Sequence, residues 1–142
     1  MADMPNAHEA RASATGYPFQ CRCALRAGLQ AIQDAPQLEI SIEKFDDIGF
    51  EADGEPTQLI QTKHHITKKG NLSDASADLW KTILIWAKLV ANDAEVSLRT
   101  QFTLLTTGIA PPDSAASFLR LRDRDEERAD RLLLTAATGS KS

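Results

Sequence analysis

Apolar and polar residues alternate in some stretches of this chain and recur at helical spacing in others, and the contrast sets the expected order of elements. Leu38, Ile40 and Ile42 alternate with Glu39, Ser41 and Glu43, the period-two pattern of a half-buried strand. Ile48, Phe50 and Ala52 resume it after Asp46-Asp47. Asp53-Gly54-Glu55-Pro56 is a turn signal, and Leu59-Ile60-Gln61-Thr62-Lys63 reads as the strand returning from it. Upstream, Phe19, Cys23, Leu25, Ala27, Leu29 and Ile32 suit an amphipathic helix over residues 17 to about 32, weakened by Gly28 and ended before Pro36. Downstream, Leu79, Trp80, Ile83, Leu84, Ala87 and Val90 form the apolar stripe of a second helix, with Trp80 as a core residue. Ser73 and Ser76 compete as its N-cap, Asp74 and Asp78 favour its dipole, and Asn92-Asp93 ends it. Residues 102–107 are apolar and β-branched enough for a buried fourth strand, closed by Gly108 and Pro111-Pro112. Ala116, Leu119 and Leu132-Leu133-Leu134 predict one or two C-terminal helices over residues 113 to about 137, and the charge run from Arg120 to Arg131 reads as a solvated face.

Composition narrows this to an ordinary α/β protein. A chain of 142 residues, 42% apolar and 25% charged, fits one domain large enough to bury a core without disulfides. Residues 1–13 carry no periodicity and are expected to be a flexible arm, with the domain over 14–142 and its core over about 16–108. No basic segment precedes an apolar run near the N-terminus, and no stretch approaches the roughly 20 apolar residues of a membrane span, so a cytoplasmic protein without membrane contact is expected. Cys21 and Cys23 lack the second pair of a structural zinc site and suit a reducing compartment. The chain ends shortly after an apolar cluster, which fits a fragment of a longer effector.

Charge restricts the partners further. A formal net charge of −4 argues against a protein that coats nucleic acid generally, because such binding draws on many Lys and Arg residues. Contact with DNA would have to be local, and the candidate basic surface is Lys63, His64, His65, Lys68 and Lys69. His64 and His65 point to opposite faces of a strand and cannot chelate one metal together. No G-x-x-x-x-G-K-[ST], G-x-G-x-x-G or G-x-S-x-G occurs, which removes the usual signals of NTP, dinucleotide and serine-hydrolase chemistry.

Glu43, Asp46, Asp47, Gln61 and Lys63 form the informative constellation, because acids on one strand and Q-x-K on the next converge if the turn permits. A hairpin centred on Glu55 places Asp47 opposite Lys63 and Gly49 opposite Gln61 on one face, with Ile48, Phe50, Ile60 and Thr62 on the other. In phosphodiester hydrolysis Asp47 would bind Mg²⁺, or Mn²⁺, and the Gln61 carbonyl oxygen would be a neutral second ligand. Lys63 would orient the water and stabilise transition-state charge, while Glu43 and Asp46 would add metal contacts or hold metal-bound waters. The spacing alone equally describes a solvated strand start with a surface ion pair to Lys63.

Four segments extend the reading. Gly16-Tyr17-Pro18-Phe19-Gln20, Ile42-Glu43-Lys44-Phe45-Asp46-Asp47-Ile48, Ile60-Gln61-Thr62-Lys63-His64-His65 and Leu79-Trp80-Lys81-Thr82 occur in that order. Together, across residues 16–107, they resemble the double-stranded-DNA nuclease domain of bacterial anti-phage effectors, including the cyclic-oligonucleotide-activated type, within the PD-(D/E)xK superfamily. The resemblance implies a restriction-endonuclease-like core of order αβββαβ with a central mixed four-stranded sheet, here followed by additional C-terminal helix. It implies Asp47 as the strand acid, Gln61 and Lys63 as the (D/E/Q)-x-K pair, and Gln20 as a supporting residue from the first helix. Gln61 departs from the commoner acid, which implies weaker metal affinity.

The expected function is therefore Mg²⁺-dependent cleavage of double-stranded DNA as the effector part of an anti-phage system, with catalysis by Asp47, Gln61, Lys63 and Glu43. Asp46 and Gln20 would support them, and His65, Lys68 and Lys69 would contact DNA. A sensor domain or partner protein outside this chain would supply the trigger, and homo-oligomers are left open. The rival expectation is a non-catalytic module of the same fold that docks a partner in a multi-component defence complex. A third is a nuclease directed at RNA or single strands, since the motif chemistry does not read the sugar.

Overall fold

A computed structural model describes residues 7–44, 47–65 and 70–139, with side chains from Tyr17 onward. The elements run α1 (Ala7–Ala31), β1 (Glu39–Ile42), β2 (Ile48–Ala52), β3 (Glu55–Lys63), α2 (Ala77–Asn92), α3 (Val96–Arg99), β4 (Gln101–Thr106), α4 (Ala115–Phe118) and α5 (Glu126–Thr138). This is an α/β chain with the expected order of major elements. The first helix differs most from its expected bounds: it is helical from Ala7, through part of the segment read as an arm, and holds Pro18 in its interior. Its early residues are rich in Ala, with Glu and Arg, which favour helix without any apolar periodicity. The four-residue α3 has no period long enough to be legible in sequence.

The chain crosses between two compact units after His64, Leu89 and Leu105. The first holds the sheet, of order β1-β2-β3-β4. β1 pairs antiparallel with β2, and β2 with β3. Beside β3, Thr100 Oγ1 donates to the Pro56 carbonyl at 2.6 Å and Gln58 Nε2 donates to Thr103 Oγ1 at 3.4 Å. Sequence number rises along both strands in the same direction, so the sheet is mixed. Ala24 of α1 is buried with Ile48, Phe50 and Ile60, and Cys23, Ala27, Ala31, Leu38 and Ile42 pack around them. The even-numbered residues of β2 and the facing residues of β3 are thus the core side, as their alternation predicts.

The register corrects the expected hairpin. Asp53 (φ 54°) and Gly54 (φ 81°) form a two-residue loop with both residues left-handed, as a type I′ turn requires, and Ala52 pairs with Glu55. One residue further along, a bulge leaves Thr57 opposite no partner, because Glu51 pairs with Pro56 while Phe50 pairs with Gln58. Ile48 then pairs with Ile60, a ladder displaced by two residues from the one expected from a turn centred on Glu55. A shift of two preserves which residues share a face and changes only which ones are opposite. The bulge is what keeps the shift even, and Thr57 Oγ1 holds it by donating to the Phe50 carbonyl at 3.1 Å. Gly54→Ala should lower stability by roughly 1–2 kcal/mol, because a Cβ disfavours the left-handed backbone, and the shift in urea midpoint measures it.

In the second unit, Ser76 precedes α2 and its Oγ accepts from Leu79 N at 3.5 Å, so Ser76 rather than Ser73 is the cap. Trp80 is half-buried and donates from Nε1 to the Asp74 carbonyl at 2.7 Å, while Asp74 Oδ1 accepts from Ala115 N at 2.7 Å. Asp125 caps α5 by accepting from Arg128 N at 3.0 Å. Arg120–Asp125 precedes that helix, and these residues are exposed, in keeping with a solvated charge run. Among the described residues, no helix is long and apolar enough to cross a membrane.

Candidate functional site

The expected site residues lie at the end of the sheet where β2 begins and β3 ends. Continuing the ladder one step past Ile48–Ile60 brings Asp47 opposite Gln61, not Lys63. On the other side, Glu43 N donates to the Asp47 carbonyl at 3.0 Å, which continues the β1–β2 ladder to Glu43. Glu43, Asp47 and Gln61 therefore occupy one row across three chain segments. The proposed cross-strand pair of Asp47 and Lys63 is corrected by this register, because the two-residue shift moves Lys63 two positions along β3 beyond the residue opposite Asp47.

Asp47 sits in a bend and turns its carboxylate laterally onto β3. Its Oδ2 accepts from Thr62 N at 2.7 Å and from Thr62 Oγ1 at 2.6 Å. The first bond replaces a ladder hydrogen bond where β2 stops, so Asp47 is a clasp on β3 as well as a candidate ligand.

Gln61 is only 4% exposed, and its Oε1 is buried without a hydrogen-bond partner among the described residues. An orphaned buried carbonyl is costly, about 1–3 kcal/mol, and a cation would satisfy it. Lys63, last residue of β3, is half-buried and makes no ion pair among the described residues. By strand alternation Gln61 and Lys63 project from one face. Gln20 Oε1 on α1 is likewise buried and unpartnered, one residue after Phe19, whose ring stacks on His64 at 4.5 Å. This stack ties the segment immediately after Lys63 to α1.

Glu43 is exposed and adopts a left-handed backbone (φ 60°). The Tyr17 phenol of α1 is raised above its ordinary value chiefly by Cys21, then by burial, with a smaller effect from the Glu43 charge. His65 donates its backbone N–H to Thr107 Oγ1 at 2.9 Å, and its Nε2 lies 2.9 Å from Asp78 Oδ2. A Cβ at Gly70 would fall 2.3 Å from His65 Nε2, so the ring packs directly on that glycine. These contacts give His65 a local structural role alongside the expected one toward DNA. Asp46, Lys68 and Lys69 lie outside the described residues.

Sequence reasoning passed over Glu51. It occupies a polar position in the alternation of β2 and is 1% exposed. Its Oε2 accepts from Lys44 Nζ at 2.5 Å, and the Lys44 ammonium and the Ser41 hydroxyl hold its carboxyl below the ordinary glutamate range. Alternation cannot separate a buried polar residue from a solvated one. The available signal was Gly49, since a strand glycine marks space that another group can occupy.

Because the Glu51 carboxyl is more acidic folded than unfolded, its contribution to stability is full above the unfolded value near 4.3 and is lost as pH falls through the depressed one. In EDTA, urea midpoints from pH 7 to pH 3 should fall more steeply for wild type than for Glu51→Gln; equal slopes would remove Glu51 from the acid transition.

Among the described residues no group of three or more His, Cys, Asp or Glu side chains is arranged to hold a metal. The Gln61 carbonyl oxygen suits a divalent ion as one donor, being neutral, hard, buried and unpartnered among them. No family model, curated protein or solved structure matches this chain.

Proposed function

We propose that the chain is a restriction-endonuclease-like domain that cleaves double-stranded DNA with Mg²⁺, using Asp47, Gln61 and Lys63. The observation that carries this reading is the end of β3, where Gln61, with a buried carbonyl oxygen, and the half-buried Lys63 fall on one face by strand alternation, the oxygen without a hydrogen-bond partner and the lysine without an ion pair among the described residues. Both are unsatisfied as they stand, and a cation with a phosphate would satisfy both. Asp47, opposite Gln61, contributes the negative charge that a hard cation requires.

When bound, the divalent ion polarises a phosphoryl oxygen and acidifies water. Asp47 and Gln61 would hold it through oxygen atoms. Lys63 sets its ammonium where negative charge grows as the water oxygen bonds to phosphorus and the P–O ester bond breaks. Thr62 fixes the Asp47 carboxylate from β3, so acid and lysine move as one unit. Binding of Mg²⁺ without DNA should be weak, because Gln61 adds no charge and Mg²⁺ gives up its waters reluctantly.

Supercoiled plasmid incubated with Mg²⁺, against the same reaction in EDTA, tests the reading directly. Nicking that needs the metal supports it, and RNA or single-stranded DNA cleaved in preference to duplex would redirect it. A docking module of the same fold is the second reading. In its favour, Asp47 Oδ2 and Glu51 Oε2 are both engaged by internal partners. An anti-phage role, a cytoplasmic setting and a sensor or partner that triggers cleavage belong to the same proposal.

A further inference from the structure

We propose that Glu51 is an additional oxygen ligand of the cation at this site, and that the Lys44 ammonium holds the cation's place in the metal-free chain. The inference rests on the nuclease reading and adds to it a ligand and a competitor.

Glu51 and Gly49 alternate with Ile48 and Phe50 on β2, so they belong to the face away from the α1 core. Gly49 pairs with Leu59, which makes Gln61 its diagonal neighbour, a relation that spans about 7–8 Å and is bridged by long side chains. The Glu51 carboxylate accepts from Lys44, which lies in the connection that leads into the start of β2. Ser41, the other group that holds its carboxyl acidic, is the residue paired with Gly49. A buried carboxylate and the buried Gln61 oxygen, unpartnered among the described residues, thus belong to one face of the sheet.

A carboxylate that is 1% exposed requires a positive partner. Lys44 provides the charge, yet its side chain is 54% exposed and can withdraw into water, whereas Glu51 cannot. An ammonium is a donor to Glu51 but leaves the Gln61 oxygen unbonded. A divalent cation takes oxygen ligands from both residues, and Mg²⁺ and Mn²⁺ prefer such hard donors. Exchange of Lys44 for the cation would therefore give the Gln61 oxygen, one of the buried polar atoms without a hydrogen-bond partner among the described residues, a positive partner.

The test is Mn²⁺ titration of the full chain without DNA, read by the EPR signal of free Mn²⁺, for wild type, Lys44→Met and Glu51→Gln. Lys44→Met should bind at least about ten-fold more tightly, because a like charge within a few ångströms has been removed. Its thermal midpoint should also rise more on adding Mn²⁺ than that of wild type. Glu51→Gln should bind about ten-fold more weakly, since a neutral amide replaces the carboxylate. A mere structural ion pair predicts that both variants lose stability and neither changes Mn²⁺ affinity, and that result overturns the proposal. If Glu51→Gln does not fold, Lys44→Met decides alone: affinity no higher than wild type sinks the idea. Metal-dependent nicking with an unmoved Mn²⁺ affinity in Glu51→Gln would keep the nuclease and remove Glu51 from its site. The shifts expected here in a protein that nicks nothing would do the reverse.

Discussion

Replacing Lys63 by Ala should lower Mg²⁺-dependent plasmid nicking by about 100- to 1000-fold, the range in which a single preorganised electrostatic contact to a developing charge acts. The effect should fall on the rate at saturating DNA more than on affinity, since many phosphates contribute to binding and only one reacts. Stability should change by no more than about 1 kcal/mol. Lys63 is half-buried at the last position of β3 and has no ion pair to lose among the described residues. Nicking rate, DNA affinity and thermal midpoint, measured on the same preparation, separate the readings. A variant that nicks at the wild-type rate would leave the docking module as the better account.

Asp47 should show a split that Lys63 does not. Asp47→Ala deprives Thr62 N–H and Oγ1–H of their acceptor at a buried position, and about 1–3 kcal/mol for each of the two unsatisfied groups gives a loss of about 2–6 kcal/mol. Asp47→Asn keeps an acceptor oxygen for Thr62 but removes the charge that would hold the cation. It should therefore unfold near the wild-type urea midpoint and yet cleave at least about 100-fold more slowly. Asp47→Asn with full activity would show that the carboxylate serves only as a clasp on β3. In that case Asp46, which shares the connection, becomes the acid to test.

The sequence by itself determined the elements and their faces. Ile48, Phe50 and Ile60 announce the core side by period two, because burial of apolar surface leaves a periodic trace, and Leu79 to Val90 announce α2 by helical spacing, although Leu79 is buried and Leu84 is exposed. The Q-x-K on the third strand, and the acids before the second, were visible for the same reason. Tertiary structure decided who faces whom. A two-residue loop at Asp53-Gly54 moved the pairing by three positions from that of a turn centred on Glu55, and the bulge at Thr57 gave back one, so the ladder shifted by two and its continuation past Ile48–Ile60 sets Asp47 against Gln61. Periodicity is blind to an even shift, since every side chain stays on its own face. It was equally blind to Glu51, whose burial depends on Lys44 reaching across the β1–β2 connection and on the bare backbone of Gly49. A buried carboxylate and a solvated one occupy the same position in an alternating strand; only the arrangement of neighbours in space, through desolvation and a compensating charge, tells them apart.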